Sequence, residues 1–345
     1  MNLLSRARHL SDPVLHNWNI RQVSQSEWHS YWLKCSGHSL LQSWGYGEAK
    51  ERSSDWIPHR FAIFNEDNQP IALVQVLTRC LPILGGLARI NRGPMLLTTD
   101  FDDIDQREIE VLRLLLSEAR RQRWWLIKIA PEMLDTVDCH YGLKGLGLKK
   151  ATTEPFASGL ISLLVSDDAL LKSFDGKWRN QMRKGIKLGV RVNKEEITQG
   201  SLDILISRYT ELQNVKGFSG ITNKLLKACA TQEGQSWEFN LFFAYLEDQP
   251  LAEPIGVLVS VGSGDTSTYL IGISDNIGRT KQANAVLLWE AILYAKISGC
   301  KWFDIGGLNN STPRGIASFK KGLKAVPYRL VGEFYKVIWP WKSRK

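Results

Sequence analysis

The chain has 345 residues, of which 43% are apolar and 23% charged, which excludes a disordered or low-complexity protein and supplies enough material for two domains with a core each. The formal charge of +9 points to an anionic partner: a nucleic acid, a nucleotide phosphate or an anionic membrane surface. The five cysteines are widely spaced without a C-x-x-C, and the six histidines lack ligand spacing, so reduced thiols in a cytosol are expected, with neither a disulfide frame nor a structural metal.

Taken in chain order, Met1 to Arg6 has no apolar run of signal-peptide length, and the polar first 30 residues predict one helix near Ser26–Leu33. Strands are predicted near Arg60–Asn65, Ile71–Cys80 and Leu87–Asn91. A helix over Asp105–Gln122 follows from apolar residues at three- and four-residue steps (Ile109, Leu112, Leu115, Leu116, Ala119). The short aromatic strand Trp124–Ile129 comes next. After Ala151, Leu160–Val165 reads as a strand, Ser166-Asp167-Asp168 as a helix cap, and Ser201–Gln213 as a helix. Strands then fall at Phe239–Leu246, Pro254–Val261 and Ser267–Ser274. The apolar helix Ala285–Ser298, interrupted by Glu290 and Lys296, is too short to span a membrane and reads as buried. Trp302–Ile305 and Arg329–Ile338 are the last strands.

The pattern repeats. Phe61 to Ala72 and Phe242 to Ala252 are each strand, acidic turn, strand, and their prolines, Pro70 and Pro250, are 250 − 70 = 180 positions apart. Trp124 and Trp302 open the two short aromatic strands at an offset of 302 − 124 = 178. Two coincidences at nearly one offset predict a duplicated mixed α/β unit, with a first domain over 1–150, a second over 151–324 and the strand within 325–345 returning to the first. Such a pair points to a cleft between similar halves.

Three segments carry candidate chemistry. Following Asp168, one helix is predicted with Leu171, Phe174, Trp178, Met182 and Ile186 on one side. Lys177, Arg179, Arg183, Lys184, Lys187 and Arg191 fall on the other. Six like charges repel one another, so this face suits an anion; a solvated face is the plainer alternative. Gly278 to Asn284, with Arg279 and Lys281 before a helix start, is a candidate phosphate site, or else an ordinary cap by Thr280 or Asn284. Lys320, beside Phe319 and after the Gly306–Asn310 loop, is a candidate oxyanion stabiliser.

Five blocks in order, Gln42–Lys50, Arg92-Gly93-Pro94, Lys177–Val190, Asn284–Gly307 and Phe319–Gly322, resemble the Fem family of peptidoglycan-bridge aminoacyltransferases, with the likeness covering about Leu40 to Val337. Gln42-Ser43-Trp44-Gly45-Tyr46-Gly47-Glu48-Ala49-Lys50 is similar to the family's Q-S-x-x-W-x-x-x-K, and Arg92-Gly93-Pro94 to its R-G-P. Lys177 to Val190 resembles its W-R-N…K-x-G-V helix. Asn284 through Asp304-Ile305-Gly306-Gly307 resembles N-x-L-L-x-W-x-x-I…D-x-G-G, and Phe319-Lys320-Lys321-Gly322 resembles F-K-x-G. The resemblance implies two tandem acetyltransferase-like (GNAT) domains. It implies Lys320 and Phe319 at the reacting ester. Lys50 would lie on the phosphates of the precursor, with Tyr46 and Asp304 also on the substrate side. Where the family has an arginine near Phe218, Lys216 or Lys224 would substitute. Where it often has an aspartate before proline, this chain has Ala130-Pro131 with Glu132 just beyond.

The implied reaction moves an amino acid from aminoacyl-tRNA, as co-substrate and without a cofactor, to a lipid- or nucleotide-linked peptidoglycan precursor. The basic helix, by its charge, would take the tRNA acceptor end. The alternatives are an acyl-coenzyme A-dependent N-acyltransferase of envelope polysaccharide synthesis and a non-catalytic membrane-surface protein anchored through Trp339–Lys345. A cytoplasmic monomer, working at the inner face of the membrane, is expected.

Overall fold

A computed structural model describes residues 17–81, 85–97, 104–249 and 253–338. In chain order, β1 (Asn19–Gln22) leads to α1 (Gln25–Trp32), closed by a capping box in which Ser24 accepts from the Glu27 amide and Glu27 accepts from the Ser24 amide. Next come α2 (Trp44–Ser53), β2 (Ile57–Phe64), β3 (Pro70–Leu81), β4 (Gly85–Asn91), β5 (Met95–Leu96), α3 (Ile104–Arg121), β6 (Trp124–Ala130), α4 (Val137–Gly145) and β7 (Lys149–Lys150). They are followed by β8 (Ala157–Ser162), α5 (Asp167–Ser173), α6 (Gly176–Lys187), β9 (Val190–Glu195), α7 (Gln199–Lys216), α8 (Asn223–Ala230), β10 (Trp237–Leu246), β11 (Gly256–Ser263) and β12 (Thr266–Ser274). The series ends with α9 (Asn276–Thr280), α10 (Ala283–Ile297), β13 (Trp302–Asp304), α11 (Arg314–Lys321), β14 (Val326–Arg329) and β15 (Phe334–Val337).

Two mixed sheets result. The first runs β1-β2-β3-β4-β6-β15-β7, with β5 beside β3; the second runs β14-β8-β13-β12-β11-β10-β9. Their plans coincide. Each has one parallel step, β4 to β6 and β12 to β13, made across the amphipathic α3 and the buried α10. This is the duplication foreshadowed by Trp124 and Trp302; Pro250 itself lies outside the described residues.

The duplicates also trade strands. β15 lies antiparallel between β6 and β7, while β8 lies antiparallel between β13 and β14. The strand that follows β7 in the chain therefore completes the second sheet, and the strand that follows β14 completes the first. Arg329–Ile338, expected as one strand, is accordingly two strands in different sheets, parted by a turn at Gly332 (φ 99°).

Contacts divide the chain into two units. Among the described residues, the first holds those up to Cys35, His59–Pro155 and those from Leu330; the second holds Ser36–Pro58 and Phe156–Arg329. The first unit buries Ile109, Leu112, Leu115 and Ala119 of α3 with Ile127 and Ile129 of β6 and Phe334 of β15. The second unit's sheet is covered on both faces. Strand alternation sends Phe242 and Leu258 to a core with Trp178, Met182, Val286 and Ile292, and sends Phe243 and Val257 to a core with Ala49, Leu205 and Leu226.

Residues 36–58, assigned by chain order to the first unit, belong to the second because α2 packs on that second face. A Cβ on Gly45 would stand 2.6 Å from the Trp237 ring, so the helix approaches to glycine distance. Buried His38 holds the segment's start, with Nδ1 2.6 Å from Asp265 Oδ1. Burial pushes the Asp265 carboxyl up, but its bonds from His38 outweigh this and hold it at about 2.

The single basic helix expected after Asp168 is two. Ser166 caps α5 through the Ala169 amide as expected. The Asp175 amide then donates to the Gly322 carbonyl (2.8 Å) instead of continuing the helix. The restart places Trp178, Met182 and Gly185 inward and leaves Ile186 42% exposed. Arg191 is not on the helix: it sits on β9 and pairs with Glu247 at 2.6 Å. Trp339–Lys345 lies outside the described residues.

Phe334→Ala should cost about 3–5 kcal/mol, because it empties a buried site on the strand that completes the first sheet. Chemical denaturation of the two proteins measures this; an unchanged midpoint would show that β15 does not hold that core.

Candidate functional site

Lys320 is the least expected side chain of the second unit: a cation on α11 with only 6% exposure. Its Nζ donates to the Gly307 carbonyl at 3.1 Å and lies 4.9 Å from the centroid of the Tyr269 ring. Burial lowers its pKa to about 8, against the opposing pull of the Asp304 charge. Burial also raises the Tyr269 phenol well above its ordinary value, so that ring faces the lysine as a neutral group.

The turn beneath the lysine is set by the sequence Asp304-Ile305-Gly306-Gly307. Asp304 Oδ1 accepts from the Gly306 amide (2.8 Å) and the Ser158 hydroxyl (2.5 Å), and Oδ2 accepts from the Tyr328 hydroxyl (2.6 Å). Gly306 has φ 70°, and a Cβ there would lie 2.6 Å from the Tyr269 carbonyl oxygen and 3.4 Å from Lys320 Nζ. No side chain fits both the backbone conformation and the space. Asp304, expected on the substrate side, is instead 5% exposed with both oxygens engaged by protein groups.

Lys320 opens into a cavity of about 310 Å³ whose lining includes Gln181, Tyr269, Arg279, Asn284, Ile316 and Phe319. Phe319 is fixed against Trp178 of α6, with ring centroids 6.1 Å apart, and α11 ends in Gly322, whose carbonyl holds the start of α6. Arg279 reaches the wall folded onto its own turn: Nη1 donates to the Ser274 carbonyl at 2.8 Å and Nη2 to Asn276. Lys281 lies in the same turn but does not line the cavity. Neither Thr280 nor Asn284 is a cap. Thr280 donates to the Asn276 carbonyl and Asn284 to the Ser274 hydroxyl, while α10 starts from Gln282 in left-handed backbone.

α6 supplies Gln181 to the cavity and carries the predicted cations beside it. Lys177, Arg183, Lys184 and Lys187 are exposed, and Arg179 is half-buried with an unpartnered Nε. Among the described residues, none of the four exposed cations is placed in an ion pair. Unneutralised charge on one helix beside a cavity is an anion-attracting surface.

The other predicted residues are elsewhere in the unit. Tyr46 of α2 packs into the core on the opposite face of the sheet from Phe319, and half-buried Lys50 is one turn further along. Exposed Lys216 ends α7 and exposed Lys224 opens α8, on either side of a groove of about 600 Å³ lined by Gln213, Gly217, Phe218 and Thr222. The structure therefore gathers Lys320, Phe319 and Arg279 at one cavity and does not bring Lys50, Tyr46, Lys216 or Lys224 to it. Tyr269, Gln181, Ser158 and Tyr328 were not foreseen; an aromatic or a serine in a buried strand carries no mark in sequence that separates it from ordinary core. In the first unit, Arg92-Gly93-Pro94 is a turn: Arg92 (φ 55°) donates its amide to Ala130 and makes a two-pronged ion pair with Glu132.

Comparison with known proteins agrees with the fold and with the blocks. Residues 236–344 match the model of the FemAB family. The chain is 24% identical to the lipid II:glycine glycyltransferase of Staphylococcus haemolyticus (strain JCSC1435), with 87% of this chain and 88% of that protein covered. It is 23% identical, at the same coverage, to the lipid II:glycine glycyltransferase of Staphylococcus aureus (strain COL). The crystal structure of FemX superposes with a TM-score of 0.76 at 18% identity over 93% of this chain and 97% of that one. A tandem GNAT protein from the clavulanic acid biosynthesis pathway superposes at 0.55 with 9% identity, covering 93% and 98%. The resemblance to the Fem family is borne out, and the architecture is a tandem GNAT fold.

A buried ammonium is a stability cost. Because folding lowers the Lys320 pKa from its free value, the penalty is full below about pH 8 and fades as pH rises towards the unfolded value. Lys320→Met should therefore raise the thermal midpoint at pH 7 by roughly 5 °C, with a smaller gain at pH 10. Calorimetry at the two pH values checks both the sign and the trend.

Proposed function

We propose that this chain is an N-aminoacyltransferase that carries an amino acid from aminoacyl-tRNA to the peptide amine of a lipid- or nucleotide-linked peptidoglycan precursor. The observation that carries the reading is the Lys320 ammonium, desolvated and fixed at the mouth of a cavity walled by Phe319 and Tyr269. The family match and the glycyltransferase relatives support an aminoacyltransferase of peptidoglycan-bridge synthesis.

The chemistry needs little more than position and charge. An aminoacyl ester is already activated, so the acceptor amine can attack its carbonyl directly. Negative charge then collects on the carbonyl oxygen. Lys320 keeps two N–H donors beyond the one given to Gly307, and in a site shielded from water an ammonium stabilises that oxyanion strongly. Collapse forms the amide and breaks the ester; the ribose oxygen leaves and takes up the proton that the amine gives up. Phe319 and Tyr269 limit water, which would otherwise hydrolyse the ester.

The cations of α6 would hold phosphates of the tRNA acceptor end beside the cavity. Lys50, Lys216 and Lys224 would serve the phosphates of the precursor on the other face of the sheet. Among the described residues no helix is long and apolar enough to cross a membrane, so a lipid-linked precursor would be met by peripheral contact at the inner face of the cytoplasmic membrane. Acyl-coenzyme A as donor has less support. Arg279 of the turn before α10, the cation that would meet its phosphates, is already tied to Ser274 and Asn276.

Lys320→Ala should lower kcat for transfer by about 10²–10³ with an intact fold, read by mass spectrometry of the precursor after incubation with charged tRNA. Transfer at the wild-type rate would refute the role. Replacing Arg183, Lys184 and Lys187 together with Glu should raise KM for aminoacyl-tRNA at least about tenfold, flatten its salt dependence and leave kcat near wild type. A variant KM equal to that of the wild type at every salt concentration would remove α6 from the tRNA site.

A further inference from the structure

We propose that Asp304 is a positioning residue for the reaction: with Ser158 and Tyr328 it holds the Gly306–Gly307 turn so that the Gly307 carbonyl and the Tyr269 ring fix the Lys320 ammonium, and its negative charge supports that ammonium. The inference rests on the reading of Lys320 given above and adds the device that keeps it charged and in place.

Three strands converge on one carboxylate. Ser158 comes from β8, Asp304 from β13 and Tyr328 from β14, adjacent strands of the second sheet. The carboxylate accepts from the Ser158 and Tyr328 hydroxyls and from the Gly306 amide, and is itself nearly inaccessible. A buried carboxylate with three donors is held tightly in one orientation. Its grip on the Gly306 amide sets the left-handed turn, and that turn aims the next carbonyl, Gly307, at Lys320.

The charged and titratable groups around Lys320 are few. Asp304 comes from β13, neutral Tyr269 from β12, and Arg279 stands across the cavity from α9. The facing residue from α6 is the uncharged Gln181. Burial disfavours an ammonium, and Asp304 supplies the opposing negative charge. Without it, Lys320 would lose its proton at a lower pH, and a neutral amine cannot balance an oxyanion.

The test uses the full chain and two readouts. In protein carrying ¹³C-labelled lysine, the Lys320 resonance is identified by its absence in Lys320→Arg, and its titration is followed by NMR. Asp304→Asn, isosteric but uncharged, should titrate at lower pH than wild type. In the transfer assay it should move the alkaline limb of kcat the same way, with kcat at neutral pH down at least about tenfold. Tyr328→Phe removes one donor and keeps the charge, so it should lower kcat only a few-fold and leave the limb in place. It serves as the second probe should Asp304→Asn not fold by circular dichroism. A wild-type Lys320 titration in folded Asp304→Asn overturns the positioning role, as does a limb displaced by Tyr328→Phe. The two readings fail separately: wild-type transfer by Lys320→Ala sinks the catalytic role of the lysine, whereas the NMR titration judges Asp304 with no reaction running.

Discussion

The two repeats of this protein, β1–β8 and β9–β15, exchange their last strands. Each sheet holds, next to its parallel step, the last strand of the other repeat: β15 between β6 and β7, and β8 between β13 and β14. Everything else follows from that exchange. β8 brings Ser158 to Asp304, β14 can then pair beyond it with Tyr328, and the turn below Lys320 acquires its support. The first core likewise lacks Phe334 until the chain has been formed almost to residue 338. Long-range pairing of this kind makes folding slow relative to a protein of local contacts, because loops must close before the strands repay them.

Within the second unit the sheet separates two kinds of surface. One face carries α6, α10 and the Lys320 cavity; the other carries α2, α7 and α8 with their scattered lysines. Side-chain alternation along β10 and β11 feeds a full core on each side, so the sheet is rigid where the chemistry needs a fixed wall. The cations of α6 and the buried ammonium of α11 lie on the same side; in the proposed reaction one helix would gather the anionic reactant and one short helix would act on it.

Much of this was legible before any coordinates. The period of α3, the apolar run of α10 and the matched offsets of Trp124 and Trp302 depend on local pattern, and local pattern survives folding. Lys320 and Phe319 were marked by their block, and they line the same cavity. What failed to show was whatever depends on distant partners. The break before α6 is invisible because Phe174 and Trp178 keep helical spacing across it, while the cause is a hydrogen bond to Gly322. The membership of residues 36–58 is decided by Trp237 and Asp265, some two hundred positions away. Asp304 looked like a ligand for substrate because an acid beside glycines is ambiguous until its donors are seen.

The depressed pKa of Lys320 has a chemical corollary. An amine that sheds its proton near pH 8 is no longer only a charge; it carries a lone pair, in the cavity where the proposed reaction would place an activated ester. In alkaline solution such a lysine would compete with the intended acceptor and trap the acyl group on itself as a stable amide. In the proposed reaction the cavity would thus work within a window, acidic enough to keep its own nitrogen inert and basic enough to leave the incoming amine free to attack.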